Sequence, residues 1–111
     1  MPKYLVLYRS SMSAGEQMAG GSPESAQAGM ELWMNWAGRV GTAIVDMGSP
    51  LAEVATVGTA DQAGKQSVAG FSILEADSVD GAKKLVDDHP HFHSPGDNSI
   101  QILEFLPIPG M

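Results

Sequence analysis

Two stretches of this chain, Tyr4–Tyr8 and Ile100–Leu106, are apolar on both faces of an extended backbone. In the first, the β-formers Tyr4, Val6 and Tyr8 alternate with Leu5 and Leu7; in the second, Ile100, Ile102 and Leu106 alternate with Leu103 and Phe105. Successive strand side chains point to opposite faces of a sheet, so both strands need cover on both sides. That requirement constrains the fold more than any other feature of the sequence.

Between these strands the apolar period alternates between two and 3.6. Ser22-Pro23-Glu24 is a helix start: Ser22 suits the N-cap, Pro23 the first helical position, and Glu24 the positive first turn. From there Ala26, Met30, Trp33, Ala37 and Val40 recur at helical spacing until Gly41, which predicts a helix of about five turns with Trp33 in the core and Trp36 on the edge of the stripe. Thr42–Met47 reads as a second strand and Val68–Glu75 as a third, with Gly70 marking a bulge or a close approach. Ser78 starts a second helix whose apolar side is Val79, Ala82, Leu85 and Val86, and Pro90 ends it. Ser10–Ser22 reads as a loop from its Gly and Ser content. The twenty-odd residues from Gly48 to Ser67 are long for a structureless connection, so Glu53–Val57 is expected as a short edge strand and Gly58–Gln66 as its tip.

The order β-α-β, long connection, β-α-β implies an α+β, ferredoxin-like βαββαβ fold with an antiparallel four-stranded sheet. Two helices cover one face of such a sheet. The two-sided outer strands therefore predict a homodimer formed through the open sheet face.

Composition sets limits. At 111 residues, 43% hydrophobic and 17% charged, residues 1–111 are one folded domain. Thirteen acidic residues against six basic ones argue against nucleic-acid or anionic-membrane partners. The absence of cysteine excludes disulfides, a thiolate nucleophile and thiolate-bound metal. The apolar run after Met1-Pro2-Lys3 is too short for a signal-peptide core or a membrane span, and a cytoplasmic protein is expected. No Walker A, G-x-G-x-x-G, G-x-S-x-G or H-E-x-x-H sequence occurs, and no cofactor is expected.

Several segments carry a family resemblance. They are Lys3–Arg9, the helix with Trp33 and Trp36 before Gly41, Gly48-Ser49-Pro50-Leu51, Gly70 to Ser78 with its Glu75-Ala76-Asp77-Ser78 entry to the second helix, His89-Pro90-His91, and Ser99–Phe105. Together they resemble the YCII-related (YciI-like, DGPF) proteins over most of the chain. The resemblance implies a dimeric α+β barrel. It also implies an acid–base dyad of a first-helix histidine with an aspartate near the end of the second strand, in a superfamily that includes lactone isomerases and dehalogenating enzymes. Asp46 is the counterpart of that aspartate. Met30 stands roughly where the histidine would be, so a working histidine must come from the end of the second helix.

His89, His91 and His93 alternate there with Pro90 and Phe92, and in an extended segment the three rings would converge. Imidazole suits proton transfer near neutrality. Against that stands the plainer reading, in which His89 meets the helix C-terminal carbonyls and the other two are solvated. A metal site from this cluster with Asp87, Asp88 and Asp97 is not expected, for want of a fixed scaffold. Asp46 is either a general base in an apolar strand or the last polar position before a turn. Trp36, with Trp33 and Tyr8, is the candidate lining of a small-molecule pocket. Two functions stand. One is a cofactor-independent enzyme using His89, Asp46 and His91 on a small organic substrate, and the other is a non-catalytic ligand-binding or accessory dimer.

Overall fold

The computed structural model describes residues 1–59 and 64–110. Its elements are β1 (Lys3–Ser10), α1 (Ala14–Ala19), α2 (Pro23–Val40), β2 (Ile44–Asp46), β3 (Ser67–Glu75), α3 (Val79–Val86) and β4 (Asn98–Glu104), with 3-10 turns at Gly41–Ala43 and Pro90–His93. The four strands form one antiparallel sheet in the order β2-β3-β1-β4, compatible with a ferredoxin-like α+β arrangement. β1 lies inside the sheet, paired with β3 on one side and β4 on the other.

One face of β1 is fully covered: Tyr4, Val6, Tyr8 and Ser10 are buried, while Leu5, Leu7 and Arg9 on the other face are half-buried. The same split runs across the neighbours. Leu5 stands between Ile73 and Leu103, and Leu7 between Phe71 and Gln101. On the covered face Val6, Tyr8 and Leu74 pack with Trp36 of α2 and Val86 of α3, joined by Ile100 and Ile102 of β4. The molecule is only 20 Å along its shortest axis, one helix layer on one sheet.

The helix signals act as read. Ser22 Oγ accepts from the Ser25 N–H, and Ser78 Oγ from the Gly81 N–H. Gly41 takes φ +62° at the end of α2. Several expectations need correction. The Ser10–Ser22 segment is not all loop: Ser13 and Glu16 form a reciprocal capping box that starts α1, a local signal stronger than the Gly and Ser count suggested. The second strand is shorter than Thr42–Met47, because Gly41–Ala43 continues the helix as a 3-10 turn. Glu53–Val57 forms no strand; Val54 and Val57 are 94% and 97% exposed. The expected tip Gly58–Gln66 lies partly outside the described residues. The last strand stops at Glu104, not Leu106.

The two tryptophans exchange places. Trp36 is completely buried and Trp33 only partly. α2 meets the sheet through its C-terminal half alone, leaving Ala26 exposed and Met30 63% exposed, and within that half Trp36 is the indole turned inward, towards α3.

Glycine is decisive at one position. Gly48 has φ +77°, and a Cβ there would sit 1.7 Å from the Phe71 carbonyl oxygen. That close approach lets the chain continue along the edge of β3, where Phe71 N–H donates to Ser49 O at 3.2 Å and Leu51 N–H to Ala69 O at 2.9 Å. Gly70, facing the same stretch, shows both expected features. The β1–β3 register shifts beside it, and its Cβ position is 3.1 Å from Ser49 O.

Candidate functional site

His89 is the centre of the site. It follows α3, where its backbone N–H donates to Val86 O at 3.2 Å, and Pro90 then turns the chain into the 3-10 segment. That turn, not an extended strand, carries the three histidines, so they do not converge. His89 and His91 are buried and His93 is exposed.

The His89 ring is wholly inaccessible and enclosed by aromatic groups. Its centroid lies 4.3 Å from Trp36, 4.4 Å from Trp33 at an interplanar angle of 82°, and 4.7 Å from Tyr8. Nδ1 accepts the His91 backbone N–H at 2.9 Å. An accepting Nδ1 carries no proton, so in the neutral ring the proton is on Nε2. That Nε2 has no hydrogen-bond partner among the described residues. Burial pushes the imidazole down to about 3, with the nearby His91 adding to the effect and Asp88 opposing it. His89 is thus a neutral N–H donor throughout the physiological range.

Two further links hold the cluster. His91 Nε2 donates to Arg9 O at 2.8 Å, tying the 3-10 turn to the end of β1. Trp36 Nε1 donates to Leu85 O at 2.8 Å, tying α2 to α3. Beside His89, Tyr8 Oη donates to Ser72 Oγ at 2.7 Å, and Ser72 Oγ donates to Met47 O at 2.7 Å. Burial raises the Tyr8 phenol to about 12, with the Ser72 bond acting in the opposite direction.

Asp46 lies outside this cluster. Its carboxylate is exposed and accepts the Gly48 N–H at 2.8 Å, closing the turn after β2. No hydrogen bond joins it to His89 among the described residues; the Tyr8–Ser72–Met47 chain lies between their neighbourhoods. Among those residues no three of His, Asp and Glu come together as a metal-binding group. Two open surface grooves of ~300 and ~410 Å³ lie elsewhere. One is lined by Asp80 and Asp87 with Lys83 and Lys84, the other by Thr42, Ala76 and Leu85 at the end of the sheet away from His89.

The tertiary structure therefore brings together Tyr8, Trp33, Trp36, His89 and His91, and leaves Asp46 apart. It adds Ser72, which is fully buried. The only sequence sign of that residue was a lone hydroxyl in the apolar strand Val68–Glu75, at a position alternating with Phe71 and Ile73. The arrangement can present one fixed hydrogen-bond donor between aromatic walls. No family model matches the chain, and no curated protein matches it significantly. Fold and site together define a small α+β protein with a histidine set in an aromatic box.

Proposed function

We propose that this is a YCII-related protein of ferredoxin-like βαββαβ topology that works as a homodimer through its open sheet face and binds a small organic molecule at the His89 cluster. The observation that carries the ligand reading is the unpartnered Nε2–H of a completely buried imidazole. A buried donor left unmade costs about 1–3 kcal/mol, a cost that an acceptor atom from a ligand would remove. The rings stand in contact with His89, so a planar molecule carrying a carbonyl, as in a lactone, would reach Nε2 only where Trp33, the partly exposed wall, moves aside.

The same facts change the chemistry expected. A histidine that stays neutral down to about pH 3 is a poor proton acceptor at neutrality. It is instead suited to holding a carbonyl oxygen and stabilising negative charge on it. The exposed Asp46 supports the reading in which the site holds and polarises a ligand without an Asp46–His89 acid–base dyad.

The dimer reading rests on the apolar open face formed by Leu5, Leu7, Phe71, Ile73 and Leu103. Sedimentation should give a dimer for the native chain and a monomer for Leu103→Asp. Ligand binding is tested by titrating coumarin and other small lactones while following tryptophan fluorescence and the His89 Nε2 resonance. Both signals should move for at least one lactone, and the tryptophan signal should stay unmoved in His89→Phe. Failure of every lactone to move the His89 resonance at millimolar concentration would refute the site.

A further inference from the structure

Three aromatic rings enclose His89, and two of them are tied in place. Trp36 is completely buried and held by its Nε1–H bond to Leu85 O; Tyr8 is 3% exposed and held by its Oη–H bond to Ser72 Oγ. Trp33 has no such anchor. It is only partly buried, and its Nε1–H makes no hydrogen bond among the described residues. Its contacts with Tyr8 and His89 are both edge-on, with centroids 5.0 and 4.4 Å apart.

The helix beside Trp33 leaves room for it to move. A long side chain on a helix lies over the turn N-terminal to its own Cα, towards the residues three and four positions back. For Trp33 these are Met30, which is 63% exposed, and Gly29. A Cβ at Gly29 would have no atom within 4 Å, so the Trp33 indole, turned towards His89, does not lie there. Neither a left-handed backbone nor a close approach requires glycine at this position, and mid-helix glycine weakens a helix relative to alanine. What Gly29 supplies is a bare patch of helix surface one turn before the indole.

We infer that Trp33 is the gate of the His89 site: its indole swings back along α2 onto the bare surface at Gly29, and the entering ligand takes the place that the indole leaves. The inference rests on the ligand site proposed above and names the class of molecule that fits it. Room opened by an indole suits a flat, bicyclic aromatic of similar size, with a carbonyl oxygen on its edge to accept from His89 Nε2–H. A single saturated ring leaves part of that room unfilled and forfeits contacts with the remaining walls.

Exchange of the His89 Nε2 proton with solvent, followed by nitrogen-15 NMR in the ligand-free protein, reads the gate. The amides of Val6 and Leu74, both fully buried, serve as the reference for global opening. Against that reference, exchange should be at least about tenfold faster in Trp33→Ala and at least about threefold slower in Gly29→Ile, whose stiff branched side chain fills the patch. Gly29→Ile carries the test by itself if Trp33→Ala fails to fold. Coumarin, a flat bicyclic lactone, is the ligand probe, and δ-valerolactone, a single saturated ring, is the comparison. The native chain should bind coumarin at least about tenfold more tightly, and Gly29→Ile should slow coumarin association at least about threefold. Nε2 exchange that is the same in the native chain and Gly29→Ile would overturn the gate, and the site would stand if coumarin still shifts the His89 resonance. Exchange that responds as stated, with coumarin shifting that resonance in neither the native chain nor Trp33→Ala, would overturn the ligand reading and the class named here.

Discussion

Acid should destabilise this protein through one residue before its carboxylates titrate. In the unfolded chain His89 takes up a proton around pH 6.5, whereas in the folded chain burial among Trp33, Trp36 and Tyr8 holds it at about 3. Between those values the unfolded state binds the extra proton, so folding stability is complete above pH 6.5 and falls as pH drops towards 3. Well inside the window one group changes stability by about 1.4 kcal/mol per pH unit. From pH ~7.5 to ~4.5 the loss is ~2.5 kcal/mol, and the full span is worth ~4–5 kcal/mol, a large share of the 5–15 kcal/mol typical of a domain. Stopping near pH 4.5 keeps most of the carboxylate contributions out, including those of Glu16 and Asp88, whose hydrogen bonds to Ser13 and Arg39 lower their carboxyls further. The assay is urea unfolding at steps through this range for the native chain and for His89→Phe. The native chain should lose ~2.5 kcal/mol more than the variant, because His91, His93 and every carboxylate are common to both. A His89 ring that titrates near pH 6.5 in the folded protein, or equal acid slopes in the two proteins, would refute the reasoning.

Three further outcomes follow from the same packing. Gly48→Ala places a methyl group against the Phe71 carbonyl in a left-handed backbone; it should cost at least ~1–3 kcal/mol by thermal unfolding and release the Ser49–Leu51 bonds to β3, seen as faster amide exchange at Phe71. Trp36→Ala removes the largest fully buried side chain and the donor to Leu85 O, and should cost ~3–5 kcal/mol, read as a lower urea midpoint. Tyr8 should form phenolate only near pH 12 by ultraviolet absorbance; since the unfolded phenol ionises near 10, stability should fall as pH rises through that interval, and Tyr8→Phe should abolish that part of the fall.

The helix starts were legible because they are local. Ser22 and Ser78 accept from the N–H three positions on, with both partners side by side in the sequence, and Pro23 acts through its own fixed φ. The capping box of Ser13 and Glu16 was equally local but was masked by the glycines and serines around it. The two-faced β1 was legible for a different reason: alternation over five residues reports both sides of a strand whatever lies beyond it. The site was legible only in its ingredients. His89, Trp33, Trp36 and Tyr8 were candidates from residue type, but their proximity depends on α2, α3 and β1 meeting, over separations of up to 81 positions between Tyr8 and His89.

Sequence alone thus determined the four sheet strands and the two longer helices in their order, since these depend on period, caps and breakers within one turn or strand, but not α1 or the absence of a strand at Glu53–Val57. Tertiary structure alone decided which tryptophan is core, that the histidines sit on a 3-10 turn, that Asp46 stays in solvent, and that Ser72 joins Tyr8 to Met47. The physical reason is that α2 is buried only in its C-terminal half. A helical stripe shows which residues are apolar, but only contact with the sheet selects the half of it that is buried. That choice wraps His89 in aromatic rings and leaves its Nε2–H without a partner among the described residues.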